Sequence, residues 1–195
     1  MQTDVNLLFS GASGVGQNIA GSANVASTGV YDIQEGLMIT GANYDNPFTL
    51  GKFSPQSNAF GEDLGNGPMR LYGRAGVSAT LPFVGGGATL NIAWQSAVDN
   101  LGGTIAGLTW TTVSETGPTL TAALMVANAM IPLPDLTRRA LFAAGTQGGM
   151  PRFLRLLYQI TGTFTQGTLT YAGLFPVAAR DLDNQYYGGG FVVAP

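Results

Sequence analysis

Histidine and cysteine are both missing from the 195 residues, and lysine occurs once, at Lys52. Without histidine the chain lacks the side chain that ordinarily titrates near neutral pH. Without either residue it lacks the commonest ligands of zinc and other transition metals. No disulfide can form, which suits a protein made in a reducing cytoplasm. Charge is scarce as well: Asp, Glu, Lys and Arg make up 10% of the chain, where about 25% is usual. Eight basic residues against eleven acidic ones give a net charge of −3, too little positive charge to neutralise a run of phosphates, so nucleic acid is not expected as a partner. Long apolar runs are lacking too. The longest candidate, residues 120–134, is broken by Asn128, Pro132 and Pro134 and falls short of the ~20 residues that cross a bilayer. No membrane span is expected. Residues 1–6 carry no basic stretch ahead of an apolar run, so no secretory leader is expected either.

In place of charge there are Thr, Ser, Asn, Gln and 29 Gly, a composition suited to sheet faces, tight turns and backbone lying close to other protein. A free monomer so poor in charge tends to self-associate. The composition therefore points to an assembled state, a homo-oligomer such as a dimer or trimer.

Residues 5–31 contain no charge and are dense in Gly, Ala, Ser and Asn, with apolar anchors at Phe9, Val15, Ile19, Val25 and Val30. No period of 2 or 3.6 persists through them. The expectation is an extended N-terminal arm, residues 1–30, that orders on a neighbour and can be removed without unfolding the rest. Residues 31–195 then form one domain. Within it, Val77, Ala79, Leu81 and Phe83 alternate with polar residues, as do Ala88, Leu90, Ile92 and Trp94 after a triple glycine at 85–87, which reads as a hairpin. A strand is expected over 104–113, while 120–129 is open between a helix and a strand or short irregular piece. A short helix is expected over 135–142. Leu154, Leu156, Tyr158 and Ile160 share one face of the next strand, and Leu169, Tyr171 and Phe175 one face of its successor. Thr165, Gln166 and Gly167 join the two as a second hairpin. Tyr186 and Tyr187 precede three glycines and then Phe191, Val192 and Val193, which read as a glycine-hinged terminal strand or tail. About seven or eight strands result, the number expected of an all-β jelly roll or two-sheet antiparallel β-sandwich.

Chemistry-bearing constellations are few. Glu62 and Asp63 are neighbours in a Gly-rich stretch and read as a solvated turn. Asp181, Asp183 and Asn184 have calcium-like oxygen spacing but are also ordinary turn formers. The run Gly11-Ala12-Ser13-Gly14-Val15-Gly16 lacks the Lys-Ser/Thr pair of a phosphate loop. Trp94, Trp110, Tyr158, Tyr171 and Tyr187 could line a sugar platform, or pack within sheets. No catalytic set, metal or cofactor is expected, and the chain reads as a non-enzyme.

The run from Pro151-Arg152-Phe153-Leu154-Arg155-Leu156-Leu157-Tyr158 through Thr161-Gly162-Thr163-Phe164-Thr165-Gln166-Gly167-Thr168 to Tyr171 resembles the late strand pair of a family of capsid cement proteins from short-tailed bacteriophages, of the Bordetella phage type. The opening, Asp4 through Phe9-Ser10-Gly11 to Tyr31-Asp32-Ile33, is similar to that family's start, and 77–95 matches its alternating strand pair in style. Segments 41–67 and 136–150 look longer than the family pattern. The resemblance implies a jelly-roll homo-oligomer that clamps the major capsid protein from outside, located on the virion exterior after synthesis in the host cytoplasm. Contacts to the shell or to other copies are then expected from Phe9, Val15, Ile19, Val25, Tyr186 and Tyr187. The alternative is a carbohydrate-binding jelly roll or phage fibre domain.

Overall fold

A computed structural model describes residues 8–11, 14–33, 37–44, 69–113, 119–134 and 151–178. The strands, in chain order, are β1 (Leu8–Ser10), β2 (Gln17–Asn18), β3 (Val25–Ala26), β4 (Val30–Asp32), β5 (Leu37–Ile39), β6 (Met69–Val77), β7 (Thr89–Ala97), β8 (Trp110–Thr112), β9 (Leu120–Thr121), β10 (Met130–Pro132), β11 (Phe153–Thr161) and β12 (Thr168–Ala178). They form two antiparallel sheets, an all-β sandwich as the alternation requires. One sheet runs β1-β12-β6-β10, with β2 also on β12. The other runs β5-β4-β11-β7-β8, with β3 also on β11 and β9 on β7.

Four long strands set the frame. β7 and β11 pair without interruption from Ala97 opposite Phe153 to Thr89 opposite Thr161, while β6 and β12 pair in the facing sheet. Leu90, Ile92 and Trp94 of β7 and Leu154, Leu156 and Tyr158 of β11 are fully buried, so the inner face of β11 is the one its alternation marks. They pack against Ala75, Val77, Leu169, Ala172 and Leu174 from the other sheet.

Neither expected hairpin forms. β6 and β7 lie in different sheets, as do β11 and β12, so residues 78–88 and 162–167 are arches that carry the chain across the sandwich. A period of 2 assigns faces but not sheets. The deciding residues are Phe83 and Phe164, which a hairpin tip would leave in water. In the arches both are buried, edge to face at 5.1 Å. Gly167 makes room for this, because a Cβ there would lie 2.5 Å from the Phe83 ring.

Of the expected arm, residues 1–7, 12 and 13 lie outside the described residues, and the described part pairs with the sandwich rather than standing apart from it. β1 and β2 pair with β12, and β3 and β4 pair with β11, so these four strands staple the same side of both sheets. Phe9 and Ile19 are fully buried, with Phe9 edge-on to Trp94 at 5.0 Å. Anchors too sparse to make a core alone are enough to complete one that the long strands supply.

The expected strand over 104–113 is broken: Ile105–Gly107 is a single 3-10 turn and only Trp110–Thr112 extends β7's sheet. Leu108 instead joins Val30, Tyr44, Ala97 and Phe153 in a smaller core on the outer face of that sheet. The open segment 120–129 is β9 followed by turns. The expected helix over 135–142 and the terminal strand lie outside the described residues.

Leu156→Ala should cost about 2–5 kcal/mol in chemical denaturation, as buried leucine truncations do, while Leu157→Ala, on the partly exposed face, costs markedly less. Deleting residues 1–26 should abolish cooperative unfolding rather than leave the sandwich intact. A truncated chain that melts at the full-length temperature by circular dichroism would refute that.

Candidate functional site

Of the side chains expected to contact a partner, Phe9 and Ile19 are in the core, and Val25 is partly buried against it. Val15 stands out from the surface at 73% exposure. Tyr186 and Tyr187 lie outside the described residues, as do Glu62, Asp63, Asp181, Asp183 and Asn184. At Gly11 and Gly16 the glycine-rich run lies against the sheet. Gly11 adopts φ +80 so close to β12 that a Cβ would meet the Thr170 carbonyl oxygen at 2.1 Å, and the run leads into β2 rather than a helix.

A buried network explains why this segment holds its place. The Ser10 hydroxyl donates to Gln17 Oε1 and, having one proton, accepts from the Tyr158 hydroxyl 2.7 Å away. Gln17 Nε2 donates to the Ala26 carbonyl at 2.6 Å, and its Oε1 also accepts from the Thr28 N–H at 3.1 Å. Burial pushes the Tyr158 phenol up, keeping it protonated as a donor.

At the end of the sandwich where β11 begins, Arg152 is 1% exposed. Its Nε and Nη2 donate to Asp32 Oδ2 at 2.9 and 2.7 Å, and its Nη1 donates to Asp99 Oδ2 at 2.6 Å. The guanidinium lies 4.9 Å from the Phe153 ring centroid and 5.3 Å from that of Tyr44. Tyr44 in turn directs its hydroxyl to Asp99 Oδ1 at 2.7 Å, with Asn100 Oδ1 at 2.9 Å. Burial pushes the Asp99 carboxyl up, but hydrogen bonds from Tyr44, the Leu101 N–H and Arg152, together with the Arg152 charge, outweigh it and hold it below its ordinary value. These charges pair with one another, so the cluster locks the start of β11 to residues 32 and 99. Sequence reading missed it because its members lie 53 and 120 positions apart. The one signal was an arginine at the head of a strand whose inner face is apolar.

The aromatics do not gather into a sugar platform among the described residues. Trp94 and Tyr158 are in the core, and Tyr171 packs on Phe175. Trp110 carries the Arg155 guanidinium 4.0 Å from its ring centroid, with Arg155 Nε donating to Gln95 at 2.9 Å. Burial pulls Arg155 down to about 10, still charged at neutral pH.

The opposite end is where β6 and β11 finish and β7 and β12 begin. A groove of about 500 Å³ runs between the segment 15–20, the arch 78–88 and the start of β12. Asn18, Ser78, Thr80, Gln166, Thr168 and Thr170 give it a neutral polar lining, with Val15 and Leu81 at its rim. No protein-family model matches the chain, and no curated protein matches it. What this end can do therefore rests on its own chemistry. Its hydroxyls and amides can accept and donate hydrogen bonds without charge, and its rim offers apolar contact.

Two outcomes follow from the Arg152 cluster. Arg152→Ala should cost about 3–5 kcal/mol, because it removes the guanidinium that two hydrogen bonds hold against the buried Asp32 carboxylate. Asp99, held below its unfolded value near 3.8, contributes stability that is present above that value and lost as the pH falls through its folded one. Denaturation midpoints should accordingly drop below about pH 4, and Asp99→Asn should flatten that part of the profile while lowering the plateau at neutral pH.

Proposed function

We propose that this protein is a non-enzymatic structural subunit that binds the outside of a tailed-bacteriophage capsid shell and stabilises it, a decoration or cement protein. The observation that carries the reading is the pairing of an antiparallel sandwich with one end whose described residues carry no charge and include several exposed apolar side chains. Such an end suits a broad contact with another folded protein better than capture of a small charged molecule. The partners in this reading are the major capsid protein and other copies of the chain. The resemblance of 151–172 to the late strands of capsid cement proteins supports it from the sequence side. So does the 10% charge content, which is low for a surface facing water throughout.

Empty shells of a tailed phage that encodes this chain, prepared without it, provide the test. Full-length protein should co-sediment with the shells at a fixed, saturable stoichiometry and raise the temperature at which they disrupt. Shells that bind none at micromolar protein, or melt unchanged when saturated, would overturn the reading.

A further inference from the structure

Arg152 and Arg155 are near neighbours in the chain, yet the fold treats them differently. Arg152 gives its guanidinium to Asp32 and Asp99. Arg155 stands opposite Gln95 in the β7–β11 register, on the outer face of that sheet, and among the described residues no carboxylate pairs with it. Its Nε donates to Gln95 Oε1 at 2.9 Å, and its guanidinium lies over Trp110 at 4.0 Å from the ring centroid. An arginine carries five N–H donors, and those on Nη1 and Nη2 have no partner among the described residues. The two carboxylates beside Arg152 hold its pKa above the ordinary value in spite of burial. Burial alone acts on Arg155 and pulls it down to about 10. A partly buried cation that has lost water without gaining a counter-charge is a cost to the isolated subunit.

We infer that Arg155 is a docking point for a carboxylate, the side chain of an aspartate or glutamate presented by a partner protein, with Thr112 and Leu157 beside it. The inference goes beyond the decoration reading, which assigns no contact to this face, and its test needs no shell. Geometry selects the chemistry. With Nε held by the buried Gln95 and one face of the guanidinium against Trp110, the edge that carries Nη1 and Nη2 is the one left to bond outward. Its parallel N–H groups match the two oxygens of a carboxylate. The ring and the amide also fix the side chain beforehand, so little freedom remains to be lost on binding. Charge then selects the source. The strands of this sheet contain one basic residue, Arg155. Nucleic acid and anionic lipid surfaces, which are held by several cations at once, find no second one in these strands. A single carboxylate on a folded protein matches the single charge, and the surface around it can exclude water from the pair, which strengthens it. The flanking side chains fit such a contact: Thr112, next to Gln95 on β8, is an exposed hydroxyl, and Leu157, the next residue on the same face of β11, is a partly exposed apolar one.

The Arg155 Nε–H signal in nitrogen–proton NMR spectra of the full-length chain, assigned by its loss in Arg155→Lys, reads the site directly. A short capped peptide with one glutamate among valines and threonines should shift that signal saturably at millimolar concentration. The same peptide with glutamine in place of the glutamate should leave it unmoved. Followed on the backbone signals of Thr112 and Leu157, Arg155→Gln should weaken binding of the glutamate peptide at least about tenfold, the scale of a lost charge-assisted pair, with circular dichroism unchanged. Arg155→Lys, which keeps the charge but not the fork, should fall between. Should Arg155→Gln fail to fold, the glutamate and glutamine peptides on the native chain decide the matter. Glu115 follows β8 in the sequence and lies outside the described residues, so Glu115→Gln is the control for a counter-charge within the chain, and it should leave the Arg155 signal in place. A Glu115→Gln variant that moves the signal would overturn the inference. So would glutamate and glutamine peptides that act alike, or inorganic phosphate that shifts the signal as strongly as the glutamate peptide does.

Discussion

The antiparallel register between β7 and β11 is the constraint on which the rest of the structure depends. Nine pairs run unbroken along it, and a slip of one residue would turn Leu154, Leu156, Tyr158 and Ile160 out of the core. Both ends of the ladder are pinned. At one end the Arg152 N–H donates to the Ala97 carbonyl at 3.0 Å and the Arg152 carbonyl accepts from Ile33 at 2.8 Å, while its side chain holds Asp32 and Asp99. At the other, Phe83 and Phe164 plug the space between the arches. A buried ion pair contributes little net stability against an apolar alternative, but it penalises any register that separates its members. That suits a position where an apolar strand would otherwise have few landmarks.

How much of this could be read from residues alone differs from element to element. The inner face of β11 was legible because four apolar side chains recur at every second position and nothing polar interrupts them. The partner of each strand was not, because alternation looks the same in a hairpin and in an arch. Gly85–Gly87 and Thr165–Gly167 have hairpin composition, and the contrary evidence was one large aromatic, Phe83 or Phe164, beside each. Loops seldom carry such residues unless they turn inward. The N-terminal segment misled for a different reason. Its anchors are too far apart to show a period, since β1 to β4 are two or three residues long and switch from one sheet to the other between β2 and β3. Short strands that change sheets leave no periodic trace.

The candidate site was less legible still. Val15 was visible as an apolar residue among glycines, but the same argument selected Phe9 and Ile19, which are buried. What distinguishes them is position in the fold: Val15 sits beyond the edge of the core, whereas Phe9 faces Trp94. Absence of charge in residues 5–31, 75–98, 119–134 and 156–179 was plain in the sequence. That these stretches meet at one end became apparent only with the topology, because β6 and β11 run towards that end and β7 and β12 run away from it.

An end built from glycine-rich turns would ordinarily be a poor binding surface, since ordering each such residue costs roughly 1–2 kcal/mol in backbone entropy at the moment of binding. Here folding has already met that cost. Gly21 and Phe164 exchange N–H to carbonyl hydrogen bonds at 2.8 and 3.0 Å, and the Ile19 N–H reaches the Gly167 carbonyl at 2.8 Å. Val84 donates to Gln166 at 2.9 Å, and Thr168 donates to the Leu81 carbonyl at 3.0 Å. The described turns at this end are thus tied to one another, across both sheets. The scarcity of charge supports the same result, because backbone groups that need not compete with ionised side chains are free to bond to one another. The uncharged end is therefore preformed, and a partner that fits it gains its contact area without a large ordering penalty.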